Sequence, residues 1–463
     1  MEITQKKPRG AQDITEGVIW KQILRFFFPI LLGTFFQQLY NTADAMIVGK
    51  FVGKQALAAV GGSTGTLINL IVGFFVGLAS GATVIISQFY GARNGKEVNR
   101  TVHTALALSI TGGVVLMIVG YIYSPTMLRW MNITDDVIDL ATTYIRIYFI
   151  GMVPSLIYNI GSGILRAIGD SKRPLYFLIV ACMVNIVLDL LFVIGLEMGV
   201  AGAGLATILS QAVSAALVII VLMRSPDSYR LHPKKIRFHG DLMKKVVRIG
   251  LPAGLQSTMY SISVVIIQSY INTFGTDVMA GNAAWGRLDG LHWMVVGAFG
   301  ISITTFVGQN FGAQKYDRMK KGVYQCWAMA LGAVAAMSAF FLLLGEPLLG
   351  LFANEESVIR EGMRILRFIG PCFILYTSIE IFSGAVRGAG DSLIPTLMTL
   401  GGVCILRLLW LFLVVPHRLE LETVLMSYPM TWLITSSLFI LYFFKGGWLK
   451  RCQKKAGLPV TEK

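Results

Sequence analysis

The chain has 463 residues, of which 55% are hydrophobic and only 14% are charged. A soluble protein carries roughly 25% charged residues, so this composition excludes an ordinary soluble enzyme or binding domain. The net charge of +15 does not indicate nucleic-acid binding, because the basic residues are concentrated in the segments between long apolar runs.

Long apolar runs recur along the whole chain, and each is close to the length of about 20 residues that a membrane-spanning helix needs. We predict an all-α polytopic membrane protein with twelve transmembrane helices. The fourth and tenth runs differ from the others because they contain Arg146, and Arg364 and Arg367, respectively. The twelve runs cover residues 24–47, 57–86, 101–122, 138–158, 174–195, 200–223, 247–271, 279–307, 322–344, 359–382, 394–415 and 423–444.

The distribution of basic residues predicts the orientation in the membrane. If the N-terminus is cytoplasmic, the segments between spans that lie on the cytoplasmic side, together with the two termini, hold 30 of the 40 Lys and Arg residues. Cytoplasmic segments are enriched in Lys and Arg, so we predict that both termini are cytoplasmic and that the protein spans the cytoplasmic (inner) membrane. The polar, basic N-terminus and the long first run do not indicate a cleaved signal peptide.

Several short motifs occur twice at nearly one spacing. "RAIGDSKRP" at residues 166–174 returns as "RGAGDSLIP" at residues 387–395, and "QFYGA" at residues 88–92 returns as "QNFGA" at residues 309–313. Pro29 also has a counterpart in Pro252. Because six is an even number of spans, the two halves enter the membrane in the same sense, as parallel six-helix bundles related by a pseudo-two-fold axis.

The repeat predicts the division of the chain. We expect a cytoplasmic N-terminal segment at 1–22, an N-lobe at 23–223, a basic cytoplasmic linker at 224–246, a C-lobe at 247–444 and a cytoplasmic tail at 445–463. In the repeated turns, Asp170 and Asp391 are suited to cap the following helix. The spacing of Gly73, Gly77 and Gly81 on the second span predicts close helix packing.

Three spans of the first half carry polar residues at helical spacing. Gln37, Asn41 and Asp44 recur on the first span, and Asn185 and Asp189 are one turn apart on the fifth. The sixth span carries Thr207, Ser210, Gln211 and Ser214. We predict that these faces form one polar site, although hydroxyl and amide groups also serve simply to join helices.

The carboxyl groups of Asp44 and Asp189 argue for more than helix packing. No Lys or Arg lies at a similar depth in the first, fifth or sixth span, so each carboxyl group is expected to be protonated or to hold a cation. This predicts a site that responds to H+ or Na+. The equivalent positions of the second half, Val265, Leu406 and Trp410, are apolar.

The second half offers a different set of candidates. Glu380 and Arg407 are either a structural ion pair or substrate contacts. Asp289 and His292 share a helix face, and His292 is either a hydrogen-bonded packing residue or a proton relay. Methionine and aromatic residues that could line an apolar substrate wall are Met259, Tyr260, Trp285, Trp293 and Tyr376.

The doubled motifs "SQFYGARNGK" and "GQNFGAQK", with "GILRAIGDSKRP" and "GAVRGAGDSLIP", resemble those of the multidrug and toxic-compound extrusion (MATE) transporters. The resemblance covers residues 15–445. It implies an antiporter that exports small cationic amphipathic compounds in exchange for H+ or Na+, by alternating access, with no other cofactor. We expect a monomer in membrane lipid, without enzyme activity or nucleic-acid partner.

The same resemblance implies roles for individual residues. Asp44 matches the acidic residue on the family's first span, and Asn185, Asp189 and Thr207 match the N-lobe proton- or sodium-binding set of the prokaryotic, DinF-like branch. Some relatives carry an acid on span seven, and this chain has none there. That difference favours coupling through the N-lobe, with Na+, if used, at Asp44, Asn185, Asp189 and Thr207.

Two other functions remain open at this stage. A lipid-linked oligosaccharide flippase of the same superfamily needs a basic central cavity, whereas the polar site predicted here is acidic. A multi-pass membrane enzyme, or a receptor without transport, needs a cluster of reactive groups at one membrane face. The five histidines are scattered, and no nucleotide-binding loop or metal-ligand spacing is present in the sequence.

Overall fold

The structure is a computed structural model that describes residues 14–131, 133 and 135–460. Residues 1–13 of the predicted N-terminal segment and residues 461–463 of the predicted tail lie outside the described residues. The described chain is helical, and eleven of its helical segments are long and apolar enough to cross a membrane. A bent helix pair makes the twelfth span, so the predicted all-α membrane fold is confirmed.

The first half is built from long helices that continue through each apolar run. Its spans are α1, α2 with α3, α4, the bent pair α5 and α6, α7 with a π-helical end, and α8. The bounds are α1 Ile19–Phe51, α2 Lys54–Gly61, α3 Ser63–Gly91, α4 Gly95–Trp130, α5 Asp135–Ile150, α6 Met152–Ala167, α7 Lys172–Asp189, the π-helix Leu190–Gly195 and α8 Gly199–Arg224.

The second half follows the same order. Its spans are α9, α10, α11, α12 with α13, α14 with a π-helix and α15, and α16 with α17, and α18 follows in the tail. The bounds are α9 Gly240–Ile271, α10 Thr276–Gly312, α11 Tyr316–Leu349, α12 Glu356–Ile369, α13 Phe373–Gly388, α14 Leu393–Thr399, the π-helix Leu400–Ile405, α15 Leu406–Leu413, α16 Leu421–Leu425, α17 Ser427–Lys445 and α18 Trp448–Ala456.

Backbone conformation repeats along with the motifs. Arg93 and Gln314, which are both non-glycine residues, have a left-handed φ of 56° in the turns after α3 and α10. Gly169 and Gly390 have φ values of 91° and 97° in the two "GD" turns, a conformation that favours glycine. The two halves therefore share turn geometry as well as helix order.

Contacts divide the described chain into two compact units. The first contains residues 28–254, and the second contains residues 14–27 and 255–460. Within the second unit, the chain start is held by Arg318, whose guanidinium donates to the carbonyls of Gly17 and Glu16 at 2.7 and 2.9 Å. Phe27 stacks on Phe299 at 4.0 Å. The predicted lobes are defined by membrane spans, whereas the two units are defined by contacts between residues. The boundaries of the lobes and of the units therefore lie at different residues.

The small-residue stripe on α3 packs against the first part of α9 within the first unit. A Cβ atom on Gly81 would lie 2.3 Å from the carbonyl oxygen of Val246, and one on Gly77 would lie 2.5 Å from backbone atoms of Gly254. On α9, a Cβ atom on Gly250 would lie 2.2 Å from the Leu78 carbonyl oxygen. Only glycine allows the two backbones to approach this closely.

Arg146 in the fourth span and Arg364 in the tenth span each interact with a neighbouring side chain. The Arg146 guanidinium lies over the ring of Tyr121, 5.1 Å from its centroid. Arg364 donates from Nε to Glu422 at 2.6 Å and also pairs with Glu361. These contacts lower the cost of placing arginine in an otherwise apolar segment.

The repeated "GD" turn is closed by its aspartate. Asp170 is buried, and its Oδ1 accepts hydrogen bonds from the backbone amides of Lys172 and Arg173 at 3.2 and 3.1 Å. Its Oδ2 lies 3.3 Å from Nε of Arg173. Asp391, the counterpart, lies 2.9 Å from Nζ of Lys455 in the tail helix α18. The aspartate caps the helix start in the first copy and holds the tail in the second.

We expect Asp170→Ala to destabilise the protein by about 1–2 kcal/mol, because the backbone amides of Lys172 and Arg173 lose their acceptor. Thermal unfolding of the purified protein measures the effect as a lower melting temperature. The exposed Asp139, on α5 of the same unit, supplies the control variant Asp139→Ala, which should melt like the unchanged protein. Equal melting temperatures for the two variants would contradict a capping role.

The linker between the halves is ordered against α4. The Asn99 side chain donates to the carbonyls of Ser228 and Arg230, both at 2.9 Å, and Arg100 pairs with Asp241 at 3.0 Å. Tyr229 is buried among apolar residues of α3 and α4. The polar linker is thus fixed by side chains that come from the ends of the helices.

Candidate ion and substrate sites

Helix α1 places Asp44 inside the first unit, where it is 5% exposed. Gln37 and Asn41, which the sequence places on the same stripe, are exposed instead. Most of residues 37–42 are exposed, between the buried residues of the first part of α1, such as Ile23 and Ile30, and the buried Asp44. Gln37 and Asn41 thus share a helix face with Asp44 but differ from it in exposure, and their role as cavity residues stays a prediction.

Helix α7 buries Asn185 and Asp189 completely, at 0% exposure each. Their spacing of four residues places them on one face of the helix. The α-helix ends at Asp189, and a π-helical turn runs from Leu190 to Gly195. Such turns are rare and often occur at functional sites, because the widened turn redirects side chains and carbonyl groups.

Helix α8 contributes hydroxyl groups that donate their protons to backbone carbonyls of the same helix. Thr207 donates to the carbonyl of Ala203 at 3.0 Å, and Ser210 donates to the carbonyl of Thr207 at 2.8 Å. Ser214 likewise donates to the carbonyl of Ser210 at 3.2 Å. The oxygen of each hydroxyl keeps lone pairs that can face a cation or a proton donor.

An apolar cluster shows that these three helix faces meet. Val48, Val193 and Ala203 pack together with Tyr144 in one buried group. Val48 and Ala203 lie four positions from Asp44 and Thr207 on α1 and α8, and Val193 lies in the π-helical turn that directly follows Asp189. Because α-helical residues four apart share a face, Asp44 and Thr207 lie one turn from this apolar group, and Asp189 borders it at the end of α7.

We call Asp44, Asn185, Asp189 and Thr207 the carboxylate cluster. Asp44 and Asp189 lie close enough for their charges to interact, and Tyr144 lies near both. Both oxygens of Asp189, Oδ1 of Asp44 and both polar atoms of Asn185 are buried without a hydrogen-bond partner among the described residues. Within the same residues, no Lys, Arg or His forms an ion pair with either carboxylate.

The donor set of the carboxylate cluster suits a hard cation or a proton. It offers carboxylate, amide and hydroxyl oxygens, which are the ligand types that hard cations prefer. The described residues include no group of three or more His, Cys, Asp or Glu that could hold a transition metal. Repulsion between two buried carboxylates is relieved when a cation or proton enters between them.

Sequence reasoning missed the tyrosines around this cluster. Tyr40 and Tyr148 both lie within hydrogen-bonding reach of Gln211, the predicted polar residue of α8, and Tyr40 lies near Asp44. Tyr144 and Tyr148 are four residues apart, and so are Tyr40 and Asp44. This helical spacing is the sequence signal that could have placed the tyrosines near the carboxylates. It is a weak signal, because aromatic residues at helical spacing are also common in helices that pack through apolar contacts alone.

In the second unit, the structure gives Asp289 and His292 separate partners. Asp289 Oδ2 accepts from Nε1 of Trp293 at 2.9 Å. His292 is buried, stacks on Phe373 at 4.3 Å, and its Nε2 lies 3.1 Å from the Ser338 hydroxyl. That hydroxyl donates to the carbonyl of Gly370, so Nε2 of His292 is the donor to Ser338.

Glu380 and Arg407 have different neighbours. Glu380 on α13 interacts with Tyr376 and with the charge of Arg387, and packs against Gly300. Arg407 on α15 is 0% exposed, and no carboxylate pairs with it among the described residues. The structure does not bring the two together as an ion pair.

Arg407 instead lies among aromatic residues and a threonine. Its guanidinium is 4.4 Å from the ring centroid of Tyr428 and 6.0 Å from that of Tyr260, and Nη2 lies 3.4 Å from the Thr431 hydroxyl. Tyr260 also packs edge-on against Trp293, which contacts Tyr376 in the same way. Met259, the neighbour of Tyr260 in sequence, and Trp285 are half-buried and buried, respectively.

The second unit has no counterpart of the carboxylate cluster at the equivalent positions. Trp410 stands where Asp189 stands in the first half, and its Nε1 donates to the carbonyl of Thr423 at 2.8 Å. Val265, the counterpart of Asp44, is 50% exposed. The two halves thus differ at these positions in the environment of the side chains as well as in residue type.

Comparison with known families supports the repeat and decides the family. The MatE family model matches this chain twice, at residues 29–191 and at residues 252–413. The chain belongs to the MatE family. The two matches begin at Pro29 and Pro252, the prolines that the internal repeat pairs. Membership of this family, together with the apolar helices, makes the chain a multi-pass membrane protein.

Curated MatE relatives match this chain over nearly its whole length. The probable multidrug resistance protein YoeA of Bacillus subtilis is 27% identical over 97% of this chain and 98% of its own. The probable multidrug resistance protein NorM of Thermotoga maritima is 25% identical over 94% of each chain. A solved MATE transporter in an outward-facing conformation is similar with a TM-score of 0.88, at 24% identity over 95% of this chain and 98% of its own, which shows the MatE fold.

Proposed function

We propose that this protein is a secondary active efflux antiporter for cationic amphipathic compounds, driven by H+ or Na+ that binds the carboxylate cluster of the N-lobe. The observation that carries the proposal is a pair of buried, interacting carboxylates without a basic partner among the described residues. The names of the relatives, multidrug resistance and multidrug export proteins, support export of foreign compounds.

The proposed cycle uses the charge of the cluster. A cation or proton that binds between Asp44 and Asp189 lowers the charge of the pair from two negative charges to one, which lowers the cost of packing α1 against α7 and α8. Pro29 interrupts the hydrogen-bond ladder of α1 and provides a place for the helix to bend. Bending or repacking of α1 then lowers the affinity for substrate, which leaves outward while the ion is carried inward. Moving one charge across 100 mV supplies about 2.3 kcal/mol.

This proposal is preferred to the other functions that the sequence left open. A flippase for pyrophosphate-linked sugars requires basic groups where this N-lobe has carboxylates. The relatives are named as transporters of drugs rather than as enzymes. The orientation with both termini in the cytoplasm stays part of the proposal, supported by the basic residues of the linker and of α18.

The test is efflux of ethidium from vesicles that contain the purified protein. An inward sodium gradient at equal pH is compared with a pH gradient in the absence of sodium. Ethidium export that follows one of the two gradients supports antiport and identifies the ion. Export that is equally fast with neither gradient, or no export under any gradient, would overturn the proposal.

A further inference from the structure

The tail helix α18 carries positive charge that the proposed ion site does not use. Residues 445–460 contain five Lys and Arg residues and no Asp or Glu. One of the five, Lys455, is paired with the buried Asp391 at 2.9 Å. The other four are exposed, namely Lys445 at the end of α17 and Lys450, Arg451 and Lys454 on α18. The tail therefore presents a positive surface that its own residues do not neutralise.

The opposite face of α18 is buried against the protein. This face consists of Trp448, Leu449, Cys452 and Gln453. The Trp448 ring stacks on Phe443 of α17 at 5.0 Å between centroids, and its Nε1 donates to the Phe443 carbonyl at 2.9 Å. An amphipathic helix that inserts into lipid needs its apolar face free to enter the acyl region. Because α18 buries this face within its own unit, only the charged face is left to meet a partner.

Both ends of α18 are tied to the ends of membrane spans. Its first residue, Trp448, follows the last span, Leu421–Lys445, by three positions, which is at most about 10 Å of chain. Gly447, with a left-handed φ of 60°, turns the chain so that Trp448 folds back on α17. Near the other end of α18, Lys455 holds Asp391 in the turn between the tenth and eleventh spans. The helix therefore lies along the ends of three spans, at the level of the lipid headgroups.

The exposed lysines keep their charge available for a ligand. Lys445, Lys450 and Lys454 form no ion pair and no side-chain hydrogen bond among the described residues, and we call these three residues the lysine patch. Arg451 differs from them, because its guanidinium lies within hydrogen-bonding reach of the Tyr442 hydroxyl. Lys450 and Lys454 are four residues apart and so share one helix face. An ammonium group on a flexible stem binds phosphate oxygens as a point charge.

We infer that the lysine patch binds the phosphate groups of anionic phospholipids at the membrane surface. The position of α18 favours lipid over a soluble acidic partner, because the helix is short and starts within about 10 Å of a span end. A basic residue close to an anionic bilayer strengthens binding by about fivefold. Since α18 has no free apolar face, the interaction is electrostatic and weakens as salt screens it. This inference concerns a surface of the second unit and does not depend on the ion site or on transport.

Phosphatidylglycerol and phosphatidylcholine of equal chain length serve as the anionic and the neutral probe. Each lipid is titrated into the purified full-length protein in a neutral detergent, and bound lipid is counted by native mass spectrometry. We expect phosphatidylglycerol to bind at least about fivefold more tightly than phosphatidylcholine in about 0.1 M ammonium acetate. In about 0.5 M ammonium acetate the two affinities should approach each other, because the Debye length shortens to about 4 Å.

A triple variant, Lys445→Gln with Lys450→Gln and Lys454→Gln, removes the charge of the lysine patch. It should weaken the binding of phosphatidylglycerol by at least about fivefold and leave that of phosphatidylcholine within about twofold. Replacing the same three residues by arginine keeps the charge and should keep the preference for the anionic lipid. Because all three side chains are exposed, both variants are expected to fold, and their melting temperatures check this.

The matched control removes an equal charge from exposed residues on three separate helices of the first unit, with Lys50→Gln, Lys54→Gln and Arg129→Gln. This control should bind both lipids as the unchanged protein does. Equal losses in the control and in the lysine-patch variant would show that net charge alone matters and would overturn the inference. Equal affinities of the unchanged protein for the two lipids would do the same. Displacement of phosphatidylglycerol by millimolar inorganic phosphate would identify a site for free phosphate and contradict the assignment to lipid.

Discussion

We expect Asp189→Asn to abolish ion-driven efflux while leaving the protein folded. The substitution keeps the size of the side chain but removes one of the two buried carboxylates between which the cation or proton binds. Loss of a ligand from such a site lowers ion affinity by at least about tenfold, so the imposed gradient no longer drives ethidium out of vesicles. Asp44→Asn should have the same effect, because the two carboxylates act as a pair.

A binding measurement separates loss of the ion site from general damage. A ligand at about 100 times its dissociation constant stabilises the folded state by about 2.7 kcal/mol. The melting temperature of the unchanged protein should therefore rise with the coupling ion, whereas that of Asp189→Asn should not. Asp139→Asn removes an exposed carboxylate of the same unit and should retain both efflux and the ion-dependent shift. Full coupling in the Asp189 and Asp44 variants would contradict the assigned site.

Gly81→Ala should destabilise the first unit strongly although it adds only one methyl group. The added Cβ would lie 2.3 Å from the Val246 carbonyl oxygen and 2.7 Å from the backbone nitrogen of Gly250. Backbone atoms cannot rotate away as a flexible side chain does, so α3 and α9 must separate. Such overpacking costs about 1–3 kcal/mol, and a lower melting temperature and poorer recovery of folded protein from membranes would report it.

Gly332→Ala is the matched control for this effect. Gly332 lies inside α11, and a Cβ atom there would meet nothing within 4 Å. Alanine is a better helix former than glycine by about 1 kcal/mol, so this variant should melt at the same temperature as the unchanged protein or higher. Similar losses in the two variants would indicate that glycine is needed for flexibility rather than for close approach.

The acidic and amide residues of the candidate ion site could be predicted from the sequence, because the features that indicate them lie close together along the chain. Asn185 and Asp189 share a face through the helical period alone, and an acidic residue inside an apolar run is conspicuous in any sequence. The tyrosines were not predictable, because Tyr40, Tyr144 and Tyr148 are ordinary components of apolar segments until their neighbours are known.

Other placements depended on how the helices pack. Gln37 and Asn41 match Asp44 in helical phase, but most residues around them on α1 are exposed, so phase did not decide their environment. Glu380 and Arg407 have opposite charges on neighbouring spans, yet each turns to other residues. Whether two side chains meet depends on the depth and rotation of their helices in the membrane. The spacing of residues along one helix does not determine either quantity.

The sequence by itself determined the twelve spans, the repeat and the presence of acidic residues in one half only. These features depend on hydrophobic length, helical period and copied motifs, all of which are local along the chain. Only the tertiary structure decided which glycines meet across α3 and α9, which side chains surround the carboxylate cluster, and that Arg407 lies buried without a carboxylate. These features arise from contacts between segments far apart in sequence, where each helix is positioned by the packing of all its neighbours.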